Sequence, residues 1–115
     1  MPNLPAHIDL AYQAAAKLLH PTLERNMGHF LLGSTSPDVR AITKGRREDY
    51  HFAPLDFGEV GESVMGLFTA HPSLRLASNG DGPRTAFVAG YLTHLVLDEV
   101  WIVELYRPCF GNPSV

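Results

Sequence analysis

A single cysteine, Cys109, stands in this chain of 115 residues. One thiol closes no internal disulfide and has no Cys partner for a zinc knuckle, so oxidising export is not implied. Beside Pro108 it reads as an idle or partly buried thiol. Charge is also scarce: 18% of residues are Asp, Glu, Lys or Arg, and the formal net charge is -3. That balance argues against nucleic acid as a purely electrostatic partner. The one basic cluster, Lys44-Gly45-Arg46-Arg47, is followed at once by Glu48 and Asp49 and reads as a solvated loop. Met1-Pro2-Asn3-Leu4-Pro5 has neither the charged nor the apolar region of a secretory leader, so a cytoplasmic protein is expected. The apolar run from Ala86 to Val103 is interrupted by Thr93, His94, Asp98 and Glu99, which argues against a membrane span. No stretch alternates with period two, and there is no internal repeat.

What remains is helical. With 45% hydrophobic residues the chain suits one small globular domain over residues 1–115, and its class is all-α, a bundle of about five helices. Ala6 to Leu19 is rich in helix formers, and Leu10, Ala14, Ala15 and Leu18 share a helical spacing, with His7 near the same side. Leu23 to Leu32 predicts a second helix with Gly33 as its C-cap. Ser34-Thr35-Ser36-Pro37-Asp38 is a capping turn leading into a short helix over Val39 to Thr43. Lys44 to Leu55 reads as a loop, and Phe57 to Ala70 as a helix weakened by three glycines. A polar linker, Ser73 to Gly82, precedes the strongest element, Arg84 to Tyr106. At 1.5 Å per residue that helix spans roughly 35 Å, the width of a small domain.

The last helix carries His94 and Asp98 at i and i+4, stacked on one face among Phe87, Tyr91, Trp101, Ile102 and Leu105. A carboxylate in such company must be paired, hydrogen-bonded or bound to a metal. His7, Asp38, His51, His94 and Asp98 share a trait: each lies at a helix start, a capping turn, an aromatic-flanked loop or a buried helix face. Such places can aim a side chain inward. Imidazole with carboxylate suits zinc, and also manganese, iron or nickel. The separations of 31, 13, 43 and 4 residues match no short metal motif, so a structural His–Asp pair and a metal site both stay open. His20 and His71 precede prolines at helix ends and read as caps. His29 reads as a core histidine, Trp101 as core or as a shield beside the site, and Asp56 and Glu62 as solvent-facing charges.

The order of His7, Gly33-Ser34-Thr35-Ser36-Pro37-Asp38, His51-Phe52 and Ala89-Gly90-Tyr91-Leu92-Thr93-His94-Leu95-Val96-Leu97-Asp98 resembles the zinc-dependent phospholipase C family. The resemblance runs from His7 to Trp101. It implies an all-helical fold that cleaves phosphodiesters, with relatives that cut single-stranded nucleic acid. It also implies that Asp38, His51, His94 and Asp98 hold one zinc, that Asp98 bridges to a second held by His7, and that Asp38 is the general base. The chemistry is coherent: a divalent cation acidifies water and neutralises phosphoryl charge while a carboxylate accepts the proton. Downstream of Asp98 the chain has no His, only Glu99 and Glu104, so a full three-metal cluster is not made from it.

The expected function is therefore a metal-dependent phosphoesterase, probing a phosphoester small molecule or a phospholipid headgroup. The alternative is a non-catalytic helical domain with a structural metal, since a small core gains from such a staple. A single-strand nuclease fits less well without an aromatic and basic groove. The chain stops soon after its strongest helix. That predicts a piece of a larger helical domain, a minimal domain, or a homo-oligomer that covers shared apolar surface.

Overall fold

The computed structural model describes residues 3–39, 44–54, 56–76 and 81–110. Its α-helices run in the order α1 (Leu4–Leu18), α2 (Pro21–Arg25), α3 (Met27–Thr35), α4 (Arg47–His51), α5 (Glu62–Ala70), α6 (Gly82–Trp101) and α7 (Arg107–Phe110). Tight 3-10 turns cover Ser36–Val39 and Pro72–Leu76, and a π-helical turn, Ile102–Tyr106, joins α6 to α7. Among the described residues there is no strand, so the class is all-α as expected.

Local chemistry sets the helix starts. Asn3 caps α1 by accepting a hydrogen bond from the Ala6 amide at 3.0 Å, with Pro5 in the first turn. Asp81 does the same for α6 through the Arg84 amide at 3.0 Å. The expected single second helix is split at Asn26, whose φ of -127° and ψ of 39° leave the helical region. Gly33 is not a cap. It lies inside α3, where a Cβ would stand 2.0 Å from the Phe87 carbonyl oxygen of α6. Gly90 answers from α6: a Cβ there would stand 1.9 Å from the Phe30 carbonyl oxygen. These two glycines let α3 and α6 pack backbone to backbone, which forms the principal helix contact of the fold.

The buried stripe of α1 is His7, Ala11 and Ala15; of the set Leu10, Ala14, Ala15 and Leu18 that the spacing suggested only Ala15 is on it, with His7 on the buried side as expected. Leu10 and Leu18 are exposed. Alanines on the inner side let α1 come close to α3 and α6, which larger leucines would prevent. Ala11, Ala15, Leu23, Phe30 and Ala86 then make the apolar core, with Met27, Leu31 and Ala89 against it.

The stretch read as a loop from Lys44 contains α4, and the fourth predicted helix starts later, at Glu62, because Gly58 to Gly61 form turns. Gly82–Phe110 is long and apolar enough to cross a membrane by length and composition, with 44% of its most apolar window buried inside the molecule. His94, Asp98 and Glu99 on it are buried within the bundle. Leu105 is exposed, unlike the other apolar residues expected along that face. Most of the expected Val39 to Thr43 helix, Asn79-Gly80 of the linker and the Gly111 to Val115 tail lie outside the described residues.

Candidate metal centre

Four separate elements deliver the expected side chains. Asp38 sits in the 3-10 turn after the buried Pro37; His51 ends α4; His94 and Asp98 share α6; His7 opens α1. His51 is placed by a sharp stop. Phe52, the C-cap, takes φ of 59° and returns its amide to the Glu48 carbonyl at 3.0 Å. A bulky residue pays for the left-handed region, so this turn is held from outside. Tyr91 helps by donating its hydroxyl to the Tyr50 carbonyl, one residue before His51. Burial, then Tyr50 and Asp38, push the Tyr91 phenol above its usual range.

Asp38, His51, His94 and Asp98 converge, with all four candidate ligand atoms within 4.8 Å of one another. His51 Nε2 lies 3.3 Å from Asp38 Oδ1 and 3.2 Å from Asp98 Oδ2. His94 Nε2 lies 3.5 Å from Asp38 Oδ1, 3.4 Å from Asp98 Oδ2 and 3.3 Å from His51 Nε2. A tetrahedral zinc with bonds of about 2.0–2.1 Å requires ligand-to-ligand edges of about 3.3–3.4 Å. Five edges of the set meet that figure to within 0.2 Å.

Hydrogen bonds alone do not account for this packing. His94 Nδ1 donates to the Ser34 carbonyl at 2.7 Å, which in the neutral ring leaves Nε2 as a bare lone pair facing the cluster. His51 Nε2 meets three atoms at hydrogen-bond distance with at most one hydrogen, while its buried Nδ1 finds no partner among the described residues. A cation at the common point satisfies all four groups at once. The residues fit a zinc ion.

His7 stands beside the four-atom set. Its Nε2 donates to Asp98 Oδ1 at 3.1 Å, and its ring stacks on His94 with centroids 3.6 Å apart. Asp98 therefore uses one oxygen toward the cluster and the other toward His7, the geometry of a bridging carboxylate.

The electrostatics are steep. Burial works against both carboxylates, yet hydrogen bonds from His51 and His94, joined by His7 at Asp98, hold Asp38 and Asp98 well below the usual carboxylate range. Burial also opposes the His94 cation, but contacts with Asp38 and Asp98 push it up to about 9. Asp98 is 2% exposed, whereas the Asp38 side chain is 39% exposed.

Two neighbours escaped the sequence reading. Arg47, placed there in a solvated loop, has a side chain only 10% exposed and lies 3.6 Å from Asp98 Oδ2. Its signal was a spacing of four from His51, visible only once α4 is known to be a helix. Glu99 is buried and accepts from the Gly61 amide at 3.2 Å, the Ser63 amide at 3.4 Å and the Ser63 hydroxyl. It caps α5. Of the other histidines, His29 is exposed and not core. His20 accepts from the Thr22 amide at 3.2 Å, so it caps a helix start and not the carbonyl end. His71 ends α5 and meets Phe52 edge-on. Trp101 is half-buried and stacks on Tyr106. Asp56 and Glu62 are exposed as expected, though Glu62 also accepts from the Gly58 amide at 3.0 Å.

A cavity of about 340 Å³ is lined by Phe52, Leu67, His71, Arg84, Phe87 and Tyr91; Phe52 follows His51 in sequence, and none of the candidate ligands lines the cavity.

The chain matches a family model described as zinc dependent phospholipase C over residues 6–101. Neither the curated proteins nor the solved structures contain a match to it.

Proposed function

The chain belongs to the zinc-dependent phospholipase C family, and from that premise we propose that it is a zinc-dependent phosphoesterase. Asp38, His51, His94 and Asp98 hold one zinc in this reading, with His7 and Asp98 offering a second position. The observation that carries the zinc is the set of five edges between 3.2 and 3.5 Å, which suits one small tetrahedral cation. For turnover one of the four groups, of which Asp38 is the exposed one, would have to yield its position to water or substrate. When bound, zinc supplies Lewis acidity, polarising phosphoryl oxygens and acidifying water.

The protein's own groups do the rest. Asp38 is the one ligand with an exposed side chain, so its outer oxygen is the group that meets incoming water and accepts its proton. Its depressed pKa makes it a weak base but keeps it ionised throughout the working range, as a ligand must be. The Ser34 carbonyl fixes the His94 ring and keeps Nε2 turned inward. The apolar cavity beside Phe52 and Tyr91 suits the hydrophobic part of a phosphoester, be it a small molecule or a phospholipid.

Burial of His51, His94 and Asp98 also favours a second reading, a metal that staples the bundle without turnover. One experiment separates the two. Purified protein is analysed for metal, then assayed on a chromogenic phosphodiester with zinc. We expect about one zinc per chain, lost in His94→Ala, and turnover that falls at least about a hundredfold in Asp38→Asn. Zinc bound without Asp38-dependent turnover leaves the staple; no zinc at all ends both readings.

A further inference from the structure

We propose that Arg47 is the charge-balancing residue of this centre: a buried guanidinium that keeps the zinc-loaded site from carrying net negative charge, and so admits an anionic phosphoryl group. The inference rests on the phosphoesterase reading and adds to it a residue that selects for anions.

Among the described residues the charges around the centre can be counted, with Asp38 partly exposed and Asp98 and Glu99 buried. Asp38 and Asp98 bring two negative charges, which one divalent cation matches. Glu99 brings a third: it is buried, and it lines the same small cavity as Arg47, His51 and Asp98. That cavity has a volume of about 10 Å³, room for roughly one water, so charges around it are poorly screened. With Arg47 present, these described charges and a single zinc sum to zero. Without it, the site holds one excess negative charge and must bind a substrate that is itself an anion.

Geometry brings the cation there. Arg47 precedes His51 by four residues on α4, so a single helical turn delivers both a ligand and its compensating charge. The guanidinium lies 3.6 Å from Asp98 Oδ2, longer than a good N–H···O bond, which suits a contribution through charge more than through ligand alignment. It also stays protonated at any working pH. A positive neighbour weakens cation binding and strengthens anion binding. A residue that merely props Asp98 would strengthen both, and this difference in sign makes the two roles separable.

Zinc affinity by chelator competition, and inorganic phosphate binding to the zinc-loaded protein by calorimetry, are measured for wild type, Arg47→Met and Arg47→Lys. Each variant is first checked for helical content and melting temperature. We expect Arg47→Met to bind phosphate about tenfold more weakly and zinc equally well or more tightly, while Arg47→Lys keeps phosphate affinity within about twofold. Unchanged phosphate binding in Arg47→Met, or zinc and phosphate affinities falling together, overturns the assignment. Should Arg47→Met fail to fold, Glu99→Gln carries the test with inverted sign: phosphate binds about tenfold more tightly and zinc more weakly. Phosphate binding unchanged in that variant overturns the assignment equally. Wild type that binds neither zinc nor phosphate overturns the phosphoesterase reading and this one with it. Wild type that binds both, with Arg47→Met indistinguishable, overturns only the role of Arg47.

Discussion

Asp98 and Glu99 are consecutive on α6 and equally buried, at 2% and 3% exposure, yet they are satisfied in opposite ways. Glu99 accepts from the Gly61 and Ser63 amides and the Ser63 hydroxyl, donors built into the start of α5. Backbone amides cannot surrender their hydrogens, so this carboxylate is tied into the fold. Asp98 meets three imidazoles and a guanidinium. Imidazoles shed their protons readily and turn from donors into ligands. A buried carboxylate ringed by such groups is poised to exchange protons for a metal, whereas its neighbour is not. Burial by itself does not mark a functional carboxylate; the chemistry of its donors does.

The sharpest test of this contrast removes each carboxylate in turn. Asp98→Ala deletes a ligand, and we expect zinc affinity to fall by more than about a hundredfold, beyond what loss of a supporting hydrogen bond causes. Glu99→Gln weakens zinc binding far less, through lost charge alone, and should leave zinc stoichiometry at the wild-type value. It lowers the stability of the zinc-free protein by about 2 kcal/mol, because the α5 amides and Ser63 lose a charged acceptor. Metal analysis and urea unfolding on the same preparations check both, and the contrast breaks if Glu99→Gln loses zinc while Asp98→Ala keeps it.

Acidity gives a third, smaller test. In zinc-free protein the His94 pKa is pushed up to about 9 from an ordinary 6.5, so its contribution to stability is complete below about pH 6.5 and disappears as pH rises through 9. Asp38 and Asp98 are shifted down, so theirs is present above about pH 4 and lost as acid protonates them. Zinc-free protein should therefore be most stable between these limits, with a melting temperature about 5 °C lower at pH 9 than at pH 6. Zinc replaces the His94 proton, so zinc-loaded protein should show the opposite slope over that interval, becoming more stable as competing protons leave. Scanning calorimetry with and without chelator reads both slopes, and parallel curves would mean that zinc and the His94 proton do not compete.

Much of the site was readable residue by residue. His94 and Asp98 stood out because a carboxylate and an imidazole four apart in an apolar helix must be paired, hydrogen-bonded or bound to a metal. His7, Asp38 and His51 stood out by their places at a helix start, a capping turn and an aromatic-flanked loop, and the resemblance added the ligand roles. In the fold Asp38, His51, His94 and Asp98 converge and His7 meets Asp98. Arg47 was hidden because four charged or polar residues in a five-residue helix look like a loop. Glu99 was hidden because its partners lie 36 and 38 residues away, at a helix start with no local relation to it. Gly33 looked like a cap since glycine after an apolar run commonly is one. What it permits instead is contact with Phe87, far along the chain.

Composition and spacing by themselves determined the helical class, the long final helix, and the residue types able to hold a cation, because helix propensity, capping and i,i+4 periodicity act over a few neighbours. Only the tertiary structure decided which side of α1 turns inward, how closely α3 and α6 approach, and which carboxylate faces imidazoles while the next faces amides. Those outcomes depend on steric contact and donor placement between segments up to 91 residues apart, and no local pattern encodes such distances.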